Sequence, residues 1–465
     1  MSDLHTLSLS EASTLIRDRK LSPVEYTRAL VEHTERHDGK LNAFLRFTPE
    51  IALADAQRAE AEIMAGGWRG PLHGVPYGLK DIVDYAGLPT TGHSAILKDS
   101  TAATDAFVTR KLRAAGGVFM GKLSTHEFAI GGPCFDLPWP PARNPWNRDH
   151  FCGGSSSGSG SATAAGFVPV AIGTDTGGSI RNPASMCGVT GMKPTYGYVS
   201  RRGVFPLAYS LDHVGPLTRT VRDNAIVLDL IAGHDPHDPG SVPRTGGGCA
   251  SLLDRGVAGL RIGVVRHFYT RDLVADAEMT ASIEQALAQL ESLGAVVREV
   301  ETLPLQQFAA CNRTLLVSEA YAVHERWLRE RPQDYGDLTR ERLFPGAFVS
   351  AAEYVNASRM RLKMAAAFNS LFDDVDVVVT ASAHDPACRI DDPKQVEYTY
   401  ARQARAPFNL TGNPALALPT GFSAGGLPLG MQIVGRPFGE ATIYRVAQAY
   451  EAAAGWTKRQ PVLQA

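Results

Sequence analysis

Several things are scarce in this 465-residue chain, and each shortage narrows what it can be. Cysteine is one: there are six, at 134, 152, 187, 249, 311 and 388, with no C-x-x-C pair among them. That spacing offers neither a zinc cadence nor a disulfide framework, and it predicts free, mostly buried thiols in a reducing compartment. A charge excess is missing too. Lys+Arg (46) nearly balances Asp+Glu (48), for a formal net charge of -2, which disfavours an extended nucleic-acid footprint. No apolar run reaches the ~18 residues of a membrane span. The opening MSDLHTLSLSEAS lacks the positive-then-apolar order of a secretory signal. There is no internal repeat. The expectation is a soluble cytoplasmic protein with no membrane and no nucleic-acid partner.

What is present is ample apolar material, 44% of residues, enough for a large core. Residues 1–65 read as helical, and Ser22-Pro23-Val24-Glu25 reads as a capping box with Pro at the first helical position. From GVPYGLKDIVDY (74–85) onward, strand-like and helical segments alternate. Strands are expected near 116–123, 168–173, 261–266, 295–300, 376–381, 415–419 and 431–435. Helices are expected over 104–115, 162–167, 276–293, 349–371 and 439–453. Val/Ile-rich strands between helices predict an α/β fold, a sheet covered by helices on both faces. The break HDPHDPGSVPRTGGG (234–248) reads as a surface loop and a lobe boundary, and its His234 and His237 as parts of Asp-Pro turns.

Three segments carry candidate chemistry. CGGSSSGSGS (152–161) is open to three readings: linker, backbone nest or nucleophile loop. It contains G-x-S-x-G around Ser156, but the preceding NPWNRDHFC is not the buried strand that a nucleophile elbow requires. Nor is there a third glycine for a dinucleotide-binding G-x-G-x-x-G. AIGTDTGGSIRNPAS (171–185) leaves a buried strand, turns through Gly177-Gly178 and presents Ser179. Paired glycines before a serine let backbone N–H groups converge as an oxyanion hole, with Asp175 and Arg181 placed to lock the loop. A tight turn is the plain alternative. Lys80 sits in a segment suited to burial, where a lysine loses its charge easily and serves as a base. A surface Lys80–Asp81 pair is the plain alternative there.

Taken together, these segments resemble the amidase signature family of serine hydrolases, and the resemblance spans nearly the whole chain. It is carried by GVPYGLKD (74–81), ARNPWN (142–147), GGSS (153–156), GTDTGGSIRNPASMCGVTGMKPTYGYVS (173–200), SLDHVGPLTRTVRD (210–223) and NLTGNPALALPTGFSAGGLPLGMQIVG (409–435). The 24-position separation of Ser155 and Ser179 matches the family's spacing of shuttle and nucleophile. The resemblance implies a single amidase-signature domain with a large twisted mixed sheet. That domain has a helical segment to about 65, a catalytic core over about 70–230 and a C-terminal lobe over about 250–465. It also implies Lys80 as base, Ser155 as proton relay and Ser179 as nucleophile. The Thr176, Gly177 and Gly178 N–H groups would be the oxyanion donors, and no cofactor would be needed. One departure stands out: GGSSSGS has Ser157 where the family often has glycine, a strained placement if that position needs positive φ.

The family acts on aliphatic and aromatic amides, aryl acylamides, carbamates and urea derivatives, and includes the ammonia-producing component of tRNA-dependent glutamine amidotransferases. That branch normally carries an acid shortly before its P-x-N-L-x-G block. Here TYARQARAPFNLTG has Arg402 and Arg405 instead, which disfavours free glutamine and favours an anionic or carbonyl-rich substrate. Phe135 and Trp139 are candidates for an apolar wall at the site mouth. The expected partner is a small-molecule amide. The alternative is an ammonia-generating, amidotransferase-like component of a complex. The resemblance leaves a homodimer open as an assembly, and no helix face in the sequence identifies an interface.

Overall fold

The computed structural model describes residues 4–463. Eleven strands form one sheet, numbered here in chain order: β1 Phe44–Phe47, β2 Pro76–Lys80, β3 Val118–Leu123, β4 Val170–Asp175, β5 Thr190–Lys193, β6 His213–Thr218, β7 Arg261–Val264, β8 Val296–Glu299, β9 Val377–Ala381, β10 Ala415–Phe422 and β11 Pro428–Gly435. Their order across the sheet is β1-β3-β2-β4-β6-β5-β10-β11-β9-β7-β8. The β3-β2-β4 and β9-β7-β8 trios are parallel and the remaining pairings antiparallel, so the sheet is mixed. The halves of the chain join where β5 pairs with β10, Lys193 opposite Ala415. Every residue of β2, β3, β4, β5, β6, β9 and β11 is buried, as expected for strands with helices on both faces.

Most of the expected elements form within a few residues of their expected bounds. The helices Phe107–Ala114, Ala277–Ser292, Ala351–Asn369 and Glu440–Ala454 match expected ones. Four differences have physical causes. The N-terminal helical region is interrupted: Asn42 ends the helix Pro23–Leu41 in the left-handed region, and β1 follows as an edge strand on β3. Ser22 caps that helix, accepting from the Val24 and Glu25 N–H groups (both 3.1 Å), but its hydroxyl donates to Glu60 and Glu25 returns no bond. The reciprocal capping boxes are Ser8–Glu11 and Ser350–Glu353. The helix expected at 162–167 begins earlier and spans Ser157–Ala164. A 26-residue helix, Leu305–Glu330, was not expected, because its inward stripe carries Cys311, Asn312 and His324 among the apolar positions.

Five of the six cysteines are buried, and all six are free. Among the described residues no helix is long and apolar enough to cross a membrane. The 234–248 break is a loop held by its own acids. Asp235 pairs with Arg202 (2.7 Å) and Asp238 with Arg201 (2.9 Å), and the His237 N–H donates to Asp235.

Candidate active site

β2 and β4 are parallel neighbours, Leu79 beside Ile172, so their carboxyl ends deliver Lys80 and Asp175 to one edge of the sheet. Such edges are where α/β sheets place ligands. Lys80 is fully buried. Its Nζ lies 2.7 Å from Ser155 Oγ and 2.8 Å from Thr174 Oγ1. Burial drives its pKa from 10.5 down to about 7, and the more distant charges of Asp175 and Asp212 only partly oppose this. The surface pairing with Asp81 does not form. Asp81 is buried 2.9 Å from Lys122, and its Oδ2 accepts the Thr91 N–H.

The serine-glycine run is a packed structural element. The Gly154–Ser155 peptide is cis, and Ser157–Ala164 is a helix with every residue buried. Small residues are required there. A Cβ at Gly154 would lie 2.0 Å from the His126 ring, and one at Gly158 would lie 2.3 Å from the Ala43 carbonyl oxygen. Ser156 joins this loop to the next. Its N–H donates to the Ser179 carbonyl (3.2 Å), and its hydroxyl bridges Thr174 N and O (3.2 Å each). The serine at the centre of G-x-S-x-G is therefore committed to holding two loops together. Ser157 starts a helix and is not among the residues with positive φ, so the strain considered for that position does not arise.

The turn ahead of Ser179 is held from inside by Asp175. That carboxylate accepts the N–H groups of Gly178 (2.7 Å), Ile180 (3.1 Å) and Arg181 (3.3 Å), the Arg181 Nε and Nη2 (both 3.0 Å), and Asn409 Nδ2 (2.8 Å). Burial alone would raise the Asp175 pKa, but Arg181 and these hydrogen bonds hold it well below the usual carboxylate range. Arg181 also donates to the Arg405 carbonyl (2.9 Å), Gln432 Oε1 (2.8 Å) and Asn409 Oδ1 (2.7 Å). The lock expected of Asp175 and Arg181 is in place, and Asn409 and Gln432 complete it. The Gly178 N–H is used within the lock, whereas the Thr176, Gly177 and Ser179 N–H groups have no backbone or side-chain acceptor among the described residues. Gly178 has φ +127°, a conformation that L side chains rarely adopt. Ser179 is buried to 4% exposure and sits directly after this turn.

A cavity of about 230 Å³ opens against the same turn, its walls including Ile82, Thr174, Thr176, Phe205, Leu207 and Asp212. Asp212 accepts from Thr176 Oγ1 (2.6 Å) and from the Leu207 and Ala208 N–H groups, and burial lifts its pKa to about 6. Asn312 and Leu316, from the unexpected long helix, approach Gly177. Reading the sequence did not single out Thr174, His126, Asp212, Asn312, Asn409 or Gln432. Only the matching blocks around 173, 210 and 409 carried a signal for Thr174, Asp212, Asn409 and Gln432.

Arg402, a candidate substrate contact, is paired within the chain. Its Nε is 2.6 Å from Asp385 Oδ2, and its guanidinium lies over Tyr398 (4.9 Å). Arg405, its neighbour in the same segment, is the arginine that reaches the turn, with its side chain against Gly178. Phe135 is 56% exposed. Trp139 packs edge-on to His93, and its carbonyl is 3.0 Å from His93 Nε2.

A buried lysine contacts a serine hydroxyl, and a second serine follows a glycine turn that Ser156 ties to the first serine's loop. The family described as Amidase matches residues 25–444. The A-type subunit of the glutamyl-tRNA(Gln) amidotransferase of Moorella thermoacetica is 37% identical over 99% of this chain and 99% of its own length. A solved structure described as an inhibitor-bound vestigial protein complex that reveals the evolutionary origins of an s-triazine catabolic enzyme superposes with TM-score 0.90 at 31% identity. It covers 99% of this chain and all of that one. A bacterial aryl acylamidase of the amidase signature family superposes with TM-score 0.89 at 26% identity, covering 98% of each chain. The chain belongs to the amidase signature family, whose enzymes are hydrolases of carbon–nitrogen bonds.

Proposed function

We propose that this protein is an amidohydrolase that cleaves an amide-type C–N bond through an acyl-enzyme on Ser179. The observation that carries this reading is the 2.7 Å contact between a buried Lys80 amine and Ser155 Oγ. Neutral Lys80 accepts a proton from Ser155, and Ser155 accepts one from Ser179 as the Ser179 oxygen attacks the substrate carbonyl. Thr174 fixes the lysine from its other side (2.8 Å). The N–H groups of Thr176, Gly177 and Ser179 receive the developing oxyanion, each worth about 2.7–4 kcal/mol in comparable sites. Protons returning along the same path release the amine or ammonia, and water then hydrolyses the acyl-Ser179 ester. Lys80, Ser155 and the oxyanion turn supply the acid–base and electrostatic work of each step. On this reading the chain is a single amidase-signature domain acting on a small molecule.

The second reading is a component that releases ammonia within a larger complex. It is favoured by the relatives named as glutamyl-tRNA(Gln) amidotransferase subunits. A fluorophosphonate probe tests the first reading. Ser179 is expected to be labelled and to carry the acyl adduct by mass, and Ser179→Ala is expected to lose both. Normal turnover by Ser179→Ala on any good amide would overturn the reading. Glutaminase activity that appears only with a co-purifying chain and tRNA would favour the second.

A further inference from the structure

Arg405 is almost fully buried, at 2% exposure, yet has no ion pair with a carboxylate among the described residues. One guanidinium nitrogen donates to the Ser382 carbonyl (2.8 Å), and its Nε has no hydrogen-bond partner. The nearby carboxylate, Asp175, is already held by Arg181 at 3.0 Å. A buried arginine with a spare donor and no counter-anion is costly, and the cost falls when an anion binds beside it. Its position is specific. A Cβ on Gly178 would lie 2.5 Å from Arg405 Nε and 2.7 Å from its Cδ, so the side chain lies directly on the residue before Ser179. On the adjacent residue a second donor is left over: the buried Asn312 has its Oδ1 3.7 Å from a Cβ placed on Gly177, and its Nδ2 has no partner. Two unspent donors, one of them cationic, thus flank the two glycines that precede Ser179.

We propose that Arg405 and Asn312 form a carboxylate subsite, and that the substrate is a short amide carrying a carboxylate a few bonds from the scissile carbonyl. This deepens the hydrolase reading and rests on it. The carboxylate would take Arg405 Nε and Asn312 Nδ2 as donors, a charge-assisted contact stronger than a neutral one. Because the carboxylate is fixed against the same two glycines that precede Ser179, binding it also positions the scissile carbonyl at the nucleophile. Arg402, paired with Asp385, takes no part.

The test compares malonamate, succinamate and glutaramate with the uncharged malonamide, succinamide and glutaramide. Two readouts are used: kcat/KM, and protection of Ser179 from a fluorophosphonate. In the wild type at least one carboxylate is expected to exceed its diamide about tenfold in both, the effect of about 1.4 kcal/mol. Arg405→Gln is expected to abolish that ratio, and Arg405→Lys to restore part of it. Equal or weaker action of the carboxylates in the wild type would overturn the proposal without any variant, as would an unchanged ratio in Arg405→Gln. If Arg405→Gln fails to fold, Asn312→Leu takes its place: a reduced ratio supports the subsite, and an unchanged one overturns it. Labelling separates the two ideas. A wild type that resists the fluorophosphonate refutes the serine mechanism, whereas a labelled enzyme without carboxylate preference refutes only the subsite.

Discussion

The burial of Lys80 sets the pH at which this enzyme should work. Lowering a lysine pKa from 10.5 to about 7 corresponds to about 5 kcal/mol of preference for the neutral amine. At pH 7 about half of the enzyme then holds a base, near pH 8 about nine-tenths, and at pH 5 about one part in a hundred. With a p-nitroanilide substrate, kcat/KM is expected to rise about tenfold per pH unit up to pH ~7 and then level. Asp212 titrates close by, at about 6, so the limb needs an assignment. The sign of the Asp212→Asn effect supplies it. The Asp212 carboxylate raises the Lys80 pKa, so its removal should move the limb to lower pH with activity retained on the plateau. Were Asp212 itself the base, the limb would vanish together with the activity. Lys80→Arg cannot form a neutral base and should lose at least 10²-fold in kcat/KM at every pH, within the usual ~10²–10⁴ for a general base. A flat profile between pH 5 and 9, or an inflection near the free-lysine value, would refute the reasoning.

Two further outcomes follow from the same geometry. Asp175→Asn strands the buried Arg181 charge and turns one of the two acceptor oxygens into a donor that faces backbone N–H groups, so about 3–5 kcal/mol of stability should be lost in urea unfolding at pH 7. Because the folded Asp175 pKa is depressed, its contribution is present above the usual carboxylate pKa and fades only as pH falls through the lowered value. Ser157→Gly places glycine in the first turn of a buried helix, and thermal unfolding should show a loss of about 0.5–1 kcal/mol or less with kcat unchanged.

The candidate catalytic segments stand out in the sequence because they are local. Each of Lys80, Ser155 and Ser179 lies in a short block whose spacing is read along the chain. The buried strands were equally legible, being continuous apolar runs between turn formers. What stayed hidden depends on partners far along the chain. Arg402 and Arg405 are three residues apart with the same chemistry, and only the fold shows that Asp385 pairs with the first while the second meets Gly178. The Leu305–Glu330 helix was missed because its inward face is partly polar, and one of those polar residues, Asn312, approaches the glycine turn. The Ser157 strain came from comparison with a related motif and not from its own backbone, which the structure shows to be helical.

The lock on the glycine turn also bears on how the enzyme is made. Asp175 and Arg181 are fastened by Asn409 and Gln432, more than 220 residues downstream, and β5 waits for β10 to pair. Contacts of such long range form late, and a ribosome supplies the N-terminal part first. A nascent chain therefore carries Lys80, Ser155 and Ser179 well before it can hold the Ser179 turn in shape. An unfinished or prematurely terminated product that ends before Asn409 would carry all three of these residues without the contacts that hold the turn.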